Sequence, residues 1–263
     1  MAAAIFEHTR TWAVAFSNCY SQFFFFLKIQ NDMIKISDTE YFSNDRTIHF
    51  LNMDCNEFMA GCKENEFNLN ISDPPYGWGA KLKGRNTNGD AEKWNIAPEQ
   101  ITFNEIQRTA INSVIFGGNY FDLPPTRCWI IWDKKQPVKQ FARCELAWTN
   151  FEKNSEIFEY SYFGAINSND GRFHPTEKPI ELYKWIIDNY TKPTDTILDC
   201  FGGSMSNAIA CHMKRRKLTI IELDVDYFKS ALKRFEIYER QVEDIKEFGY
   251  AKTKINAQNP VLF

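Results

Sequence analysis

Thr196-Ile197-Leu198-Asp199-Cys200-Phe201-Gly202-Gly203-Ser204 reads as a short apolar strand that breaks into a glycine turn. Glycine there lets a ligand come close to the backbone, and the chain turns from strand into helix. Downstream, Ala208 and Ile209 fall on the inner side of a helix that the spacing starts in the turn itself. Leu218 to Leu223 is the next strand, with Glu222 near its end, and Val225, Phe228, Leu232 and Phe235 mark one face of a long helix. Upstream, Ile180, Tyr183, Ile187 and Tyr190 recur at helical spacing, and Pro179 suits a first helical position. Thr47–Leu51, Leu69–Ile71, Ser113–Phe116 and Cys128–Trp132 are short strand-like runs. Strands that alternate with helices predict an α/β fold, a mostly parallel sheet covered by helices on both faces.

The chain has 263 residues, enough for one large domain or a domain with appendages. Its composition is 44% hydrophobic and 25% charged, which supports a packed core and excludes general disorder. A net charge of -3 provides no global basic field, so any nucleic-acid contact must come from local patches. Seven cysteines without a C-x-x-C pair and four scattered histidines have no zinc-ligand spacing. The expectation is a metal-free chain in the reducing cytoplasm. Trp12–Leu27 is apolar and aromatic, but Ser17, Asn18, Ser21 and Gln22 interrupt it, which argues against a membrane span. Residues 1–32 are read as an extension outside the fold, with the working domain over 33–263.

Asp73-Pro74-Pro75-Tyr76 follows directly on an apolar strand. Two prolines fix φ and lack N–H donors, so the segment cannot continue a strand ladder. The Pro74 carbonyl and the Asp73 carboxylate are then acceptors beside the flat ring of Tyr76. Such a set suits a planar group bearing an amine; the plainer alternative is a rigid polar turn. The polar stretch 77–100 that follows is long for a connecting loop and carries Lys81, Lys83 and Arg85, candidates for phosphate contact in a salt-dependent manner.

Asp73-Pro74-Pro75-Tyr76 resembles the catalytic motif of the amino-methyltransferases of DNA. The resemblance implies a Rossmann-like fold that binds S-adenosylmethionine, flips a base out of the duplex and methylates its exocyclic nitrogen. Asp73 and the Pro74 carbonyl would take hydrogen bonds from the amine, Pro75 would stiffen the turn, and Tyr76 would stack on the base. Asp199-Cys200-Phe201-Gly202-Gly203-Ser204 is similar to the cofactor segment Asp-Pro-Phe-x-Gly-Ser-Gly, with Cys200 in place of Pro and Met205 in place of the last Gly. By that likeness Asp199, Phe201, Gly203 and Ser204 would hold the cofactor and Glu222 would bond its ribose, with an ordinary exposed carboxylate as the plainer reading of Glu222. His174-Pro175-Thr176-Glu177-Lys178-Pro179 resembles a further family segment, which implies Thr176 and Lys178 against the methionine part of the cofactor, with a capping turn at Thr176 as the plainer reading. Asp54 resembles the residue that bonds the adenine amine, with a helix cap as the plainer reading. The catalytic motif precedes the cofactor motif, an order that resembles the circularly permuted arrangement of the family's beta group.

The family tendency of Asp at the first motif position implies adenine N6 as the methyl acceptor. N4-cytosine methylation and an inactive DNA-binding module of the same fold stay open, as does methylation of another planar amine in RNA or protein. Residues 149–173, where target recognition would fall, are few. Brief specificity, reading through the 77–100 loop, and a homodimer that presents a second surface therefore all remain. A cognate restriction nuclease is not legible in the chain.

Overall fold

The computed structural model describes residues 33–77, 96–135, 142–161 and 177–248. Among the described residues ten strands form one sheet: β1 (Ile34–Lys35), β2 (Glu40–Phe42), β3 (Ile48–Asn52), β4 (Phe67–Ser72), β5 (Ala110–Phe116), β6 (Trp129–Asp133), β7 (Cys144–Thr149), β8 (Glu156–Glu159), β9 (Thr196–Asp199) and β10 (Lys217–Glu222). Between them lie α1 (Cys55–Ala60), α2 (Gln100–Thr109), α3 (Ile180–Tyr190), α4 (Ser206–Met213) and α5 (Val225–Phe248). The spatial order is β1-β2-β3-β10-β9-β4-β5-β7-β6-β8. From β3 to β5 every neighbour is parallel, whereas β7 inserts antiparallel between β5 and β6. A β1–β2 hairpin closes the other edge, antiparallel to β3.

Each central strand is apolar on both sides because both faces of the sheet are covered. Ile48, Val114, Ile197 and Ile220 enter one core with Leu182, Ile186 and Phe235 from α3 and α5. Their sequence neighbours Ile115, Leu198 and Ile221 enter a second core with Met59 of α1 and Phe103 and Ile106 of α2. The run of consecutive apolar residues in each strand is thus two period-2 faces superposed.

Two local expectations shift. Helix α4 starts at Ser206, after the glycine turn, because Met205 takes a left-handed conformation (φ 58°) that ends the turn. Pro179 caps α3 with extended backbone and lies one residue before its first turn. Met205 itself is fully buried in the first core.

The chain leaves β4 toward β5 and leaves β9 toward β10, in opposite directions along the sheet. Such a reversal opens a crevice at the carboxyl ends of the two strands. The β4–β9 ladder pairs only Leu69 with Ile197 and Asn70 with Leu198. Beyond those pairs the backbone ladder ends, and Asp73 and Asp199 begin their turns.

Candidate active site at the β4–β9 crevice

Buried polar groups hold the two strand ends side by side. Cys200 N–H donates to Ser72 Oγ at 3.2 Å, and Asn70 Nδ2 donates to Cys200 Sγ at 3.5 Å. Asp73 and Asp199 thereby open into one crevice.

On the β4 side, both oxygens of Asp73 are engaged. Tyr76 OH donates to Oδ1 at 2.8 Å, and Lys178 Nζ donates to Oδ2 at 2.6 Å and to Tyr76 OH at 3.2 Å. Lys178, from the segment before α3, is 4% exposed and also contacts Glu145 Oε2 at 3.2 Å. Glu145 projects from β7, and its other oxygen pairs with Lys134, just after β6. Burial alone would lower the Lys178 ammonium, but Asp73 and Glu145 overcome it and hold it well above its ordinary value. Burial would likewise raise Glu145, yet Lys178 and Lys134 bring it down to about 2. Burial and the charge of Asp73 keep the Tyr76 phenol protonated, as a donor must be.

The Tyr76 ring lies over Gly117, which follows β5 with φ 65°. Tyr120 and Phe121 flank that ring at 5.3 and 6.3 Å between centroids, and Tyr120 is 47% exposed. A flat aromatic surface thus stands beside the carboxylate, at the rim of the crevice.

On the β9 side, Asp199 is 1% exposed. Its Oδ1 accepts from Phe201 N–H at 3.0 Å, and its Oδ2 from Asn207 Nδ2 at 2.8 Å. Glu222 Oε2 accepts from Gly203 N–H at 2.7 Å, so the end of β10 braces the glycine turn. Arg234 of α5 donates to Ser204 O at 2.7 Å and pairs with Glu177 at 2.5 Å, which also accepts from Ser206 Oγ. Phe201 packs partly buried on the second core. Asp54 caps α1, accepting from Asn56 N–H at 2.6 Å, at the end of β3.

Burial raises Asp199 to about 8, with Asp73 and Glu222 adding repulsion, and burial also raises Glu222. Two buried acids reluctant to ionise alone form a site that a cationic ligand would stabilise. A side chain on Gly203 would meet nothing nearer than Phe201 O at 4.0 Å, so that face of the turn is open. Acceptors, an open backbone face and acids whose charged form a cation would favour together fit a cofactor bearing a sulfonium, an ammonium and ribose hydroxyls.

Asp199 makes stability depend on pH. Its acid form is favoured in the fold, since its value rises from 3.8 unfolded to about 8. The fold is therefore free of this cost below about pH 4, and the cost grows as pH rises toward 8. Relative to the wild type, Asp199→Asn is expected to gain on the order of a few kcal/mol between pH 5 and pH 8. Urea melts of both proteins at the two pH values measure this difference. Parallel pH dependences would contradict it.

Of the residues singled out from the sequence, Asp73, Pro74, Pro75, Tyr76 and Lys178 meet on one side of the crevice. Asp199, Phe201, Gly203, Ser204 and Glu222 meet on the other, and Asp54 stands at the end of neighbouring β3. Thr176, Lys81, Lys83, Arg85 and residues 1–32 lie outside the described residues, as do 162–173 of the stretch 149–173. Sequence reading passed over Glu145, Lys134, Asn207 and Arg234. Only Glu145 left a sign, as a carboxylate inside the otherwise apolar run of Cys144–Thr149. Among the described residues no three His, Cys, Asp or Glu gather as a metal site, and no helix is long and apolar enough to cross a membrane.

The family model described as DNA methylase matches residues 129–233. The protein named "Putative methylase YubD" of Escherichia coli (strain K12) is 24% identical over 215 residues, 74% of this chain and 92% of that protein. DNA adenine methyltransferase YhdJ, also of Escherichia coli (strain K12), is 38% identical over 64 residues, 24% of this chain and 22% of its own length. Among solved structures, the PvuII DNA methyltransferase (cytosine-N4-specific) aligns with a TM-score of 0.52 at 17% identity, over 76% of this chain and 91% of that one.

Proposed function

We propose that the chain, which is similar to amino-methyltransferases of DNA and has a Rossmann-like methyltransferase fold, methylates adenine at N6 from S-adenosylmethionine. The observation that supports this most is the convergence of the Asp73 carboxylate, the Tyr76 ring and the Asp199–Ser204 turn on one crevice. Asp as the first motif residue and the likeness to YhdJ, named an adenine methyltransferase, favour adenine.

An exocyclic amine is a poor nucleophile because its lone pair is delocalised into the ring. Asp73 and the Pro74 carbonyl would accept hydrogen bonds from its N–H groups, hold the nitrogen out of conjugation and aim its lone pair across the crevice. Pro75 keeps that turn rigid, and Tyr76 would stack on the flipped base, fixed by its hydrogen bond to Asp73. Positioning and preorganised polarity then carry the rate. The cofactor, when bound, supplies a methyl group already activated on a sulfonium. Asp199, Phe201, Gly203 and Ser204 would hold it from the glycine turn, Glu222 and Asp54 from the adjoining strand ends, and Thr176 from the segment before α3. Lys81, Lys83 and Arg85 are proposed as phosphate contacts, so that neutralising them lowers the salt dependence of DNA binding.

The deciding experiment incubates the protein with unmethylated DNA and S-adenosylmethionine, then digests the DNA to nucleosides for mass spectrometry. N6-methyladenine is the expected product. N4-methylcytosine would keep the mechanism and overturn the base, and neither product with a cofactor-binding protein would overturn the assignment to DNA.

A further inference from the structure

We propose that Glu145 is a positioning residue that takes Lys178 over from Asp73 when the target amine enters. The inference rests on the reading above, in which Asp73 accepts the amine.

With no base present, Asp73 has a charged competitor. The Lys178 ammonium sits 2.6 Å from Oδ2, and a charge-assisted hydrogen bond is roughly twice as strong as one from a neutral amine. A carboxylate neutralised in this way is also a weaker acceptor. For Asp73 to localise the amine lone pair, its oxygen must be released.

Water cannot receive the cation, since Lys178 is almost wholly enclosed. The ring faces of Phe116 and Tyr76 lie 5.1 and 5.6 Å from Nζ, and neither carries a formal charge. Glu145 Oε2 is the second counter-charge within reach, at 3.2 Å. That oxygen is shut off from solvent and completes no hydrogen bond. Lys134 holds the partner oxygen, which fixes the carboxylate in place. If Nζ swings toward Glu145 until the contact reaches about 2.8 Å, an ordinary ion-pair hydrogen bond forms there. The ammonium stays paired throughout, and Asp73 Oδ2 faces the amine. Two carboxylates around one buried cation therefore act as a rest position and a working position.

A double-mutant cycle on the full chain, loaded with S-adenosylmethionine and a DNA substrate, tests this by single-turnover methylation. Glu145→Gln keeps the shape and removes the landing charge. It is expected to slow transfer by about 10-fold or more while calorimetric cofactor affinity and the KM for DNA stay within about twofold. In a Lys178→Met background, where no cation needs to move, the same change is expected to cost less than about twofold. Glu145→Asp, which retains the charge, should recover part of the loss. If Lys178→Met does not fold, Lys178→Gln takes its place in the cycle.

Equal losses in both backgrounds, or a wild-type rate for Glu145→Gln, would overturn the handover while leaving the methyltransferase reading intact. A wild-type protein that methylates no DNA base would overturn both.

Discussion

Asp73→Ala is expected to reduce methyl transfer by about a thousandfold while leaving the affinity for S-adenosylmethionine within about twofold. The substitution removes both acceptor oxygens, so the amine lone pair would stay delocalised into the base. Removing one preorganised polar group aimed at a reacting centre already costs on the order of a hundredfold to a thousandfold. Here a second loss adds to the first, because Tyr76 OH loses the 2.8 Å bond that fixes its ring. Cofactor affinity is spared because the direct partners of Asp73 are Tyr76 and Lys178, neither of them in the glycine turn. Lys178 keeps Glu145 as counter-charge, so the fold retains a paired cation. Methyl incorporation and calorimetry on one preparation separate the two effects. Activity within about tenfold of wild type would remove Asp73 from its assigned role.

Gly117→Ala should be nearly as damaging to activity, by a different route. A Cβ at this position would stand 2.3 Å from Tyr76 Cε1 and 2.7 Å from both Cδ1 and Cζ. No flexible end is available to move, because the obstruction is the ring itself. The position also has φ 65°, which costs a residue bearing Cβ about 1–2 kcal/mol. Relief requires Tyr76 to tilt away, which breaks its bond to Asp73 and displaces the surface on which the base would stack. The expected outcome is a loss of about a hundredfold in transfer rate, with a drop in stability of about 2 kcal/mol. Steady-state kinetics and a urea melt on the same variant test this. A variant with normal kinetics would show that the ring need not hold its observed position.

Much of this architecture was legible locally. The strands around Leu69–Ile71, Ser113–Phe116 and Thr196–Leu198 announced themselves as short apolar runs stopped by Pro or Gly, and α3 and α5 as apolar faces at helical spacing. The errors were local too. The turn before α4 extends to Met205 because a buried methionine accepts a left-handed conformation that the sequence pattern assigns to glycine. In the crevice, Asp73 and Asp199 were visible because each ends a strand in an unusual turn. Lys178 was visible only through its family segment, which associated it with the cofactor, whereas its ammonium lies on the Asp73 carboxylate.

Which chemistry the chain can present follows from residue types in order: acceptors and an aromatic ring after one strand, a glycine turn after another. That information is local, since backbone restriction by proline, freedom at glycine and the period of apolar residues act over a few neighbours. How these groups are charged and held was decided in three dimensions. Glu145 reaches Lys178 because β7 inserts antiparallel beside β5, and Arg234 reaches Ser204 because α5 packs back over the turn. Gly117 matters because β5 delivers it beneath Tyr76. Coulombic and steric terms depend on distance through space, and chain separations such as the 105 residues between Asp73 and Lys178 carry no trace of that distance.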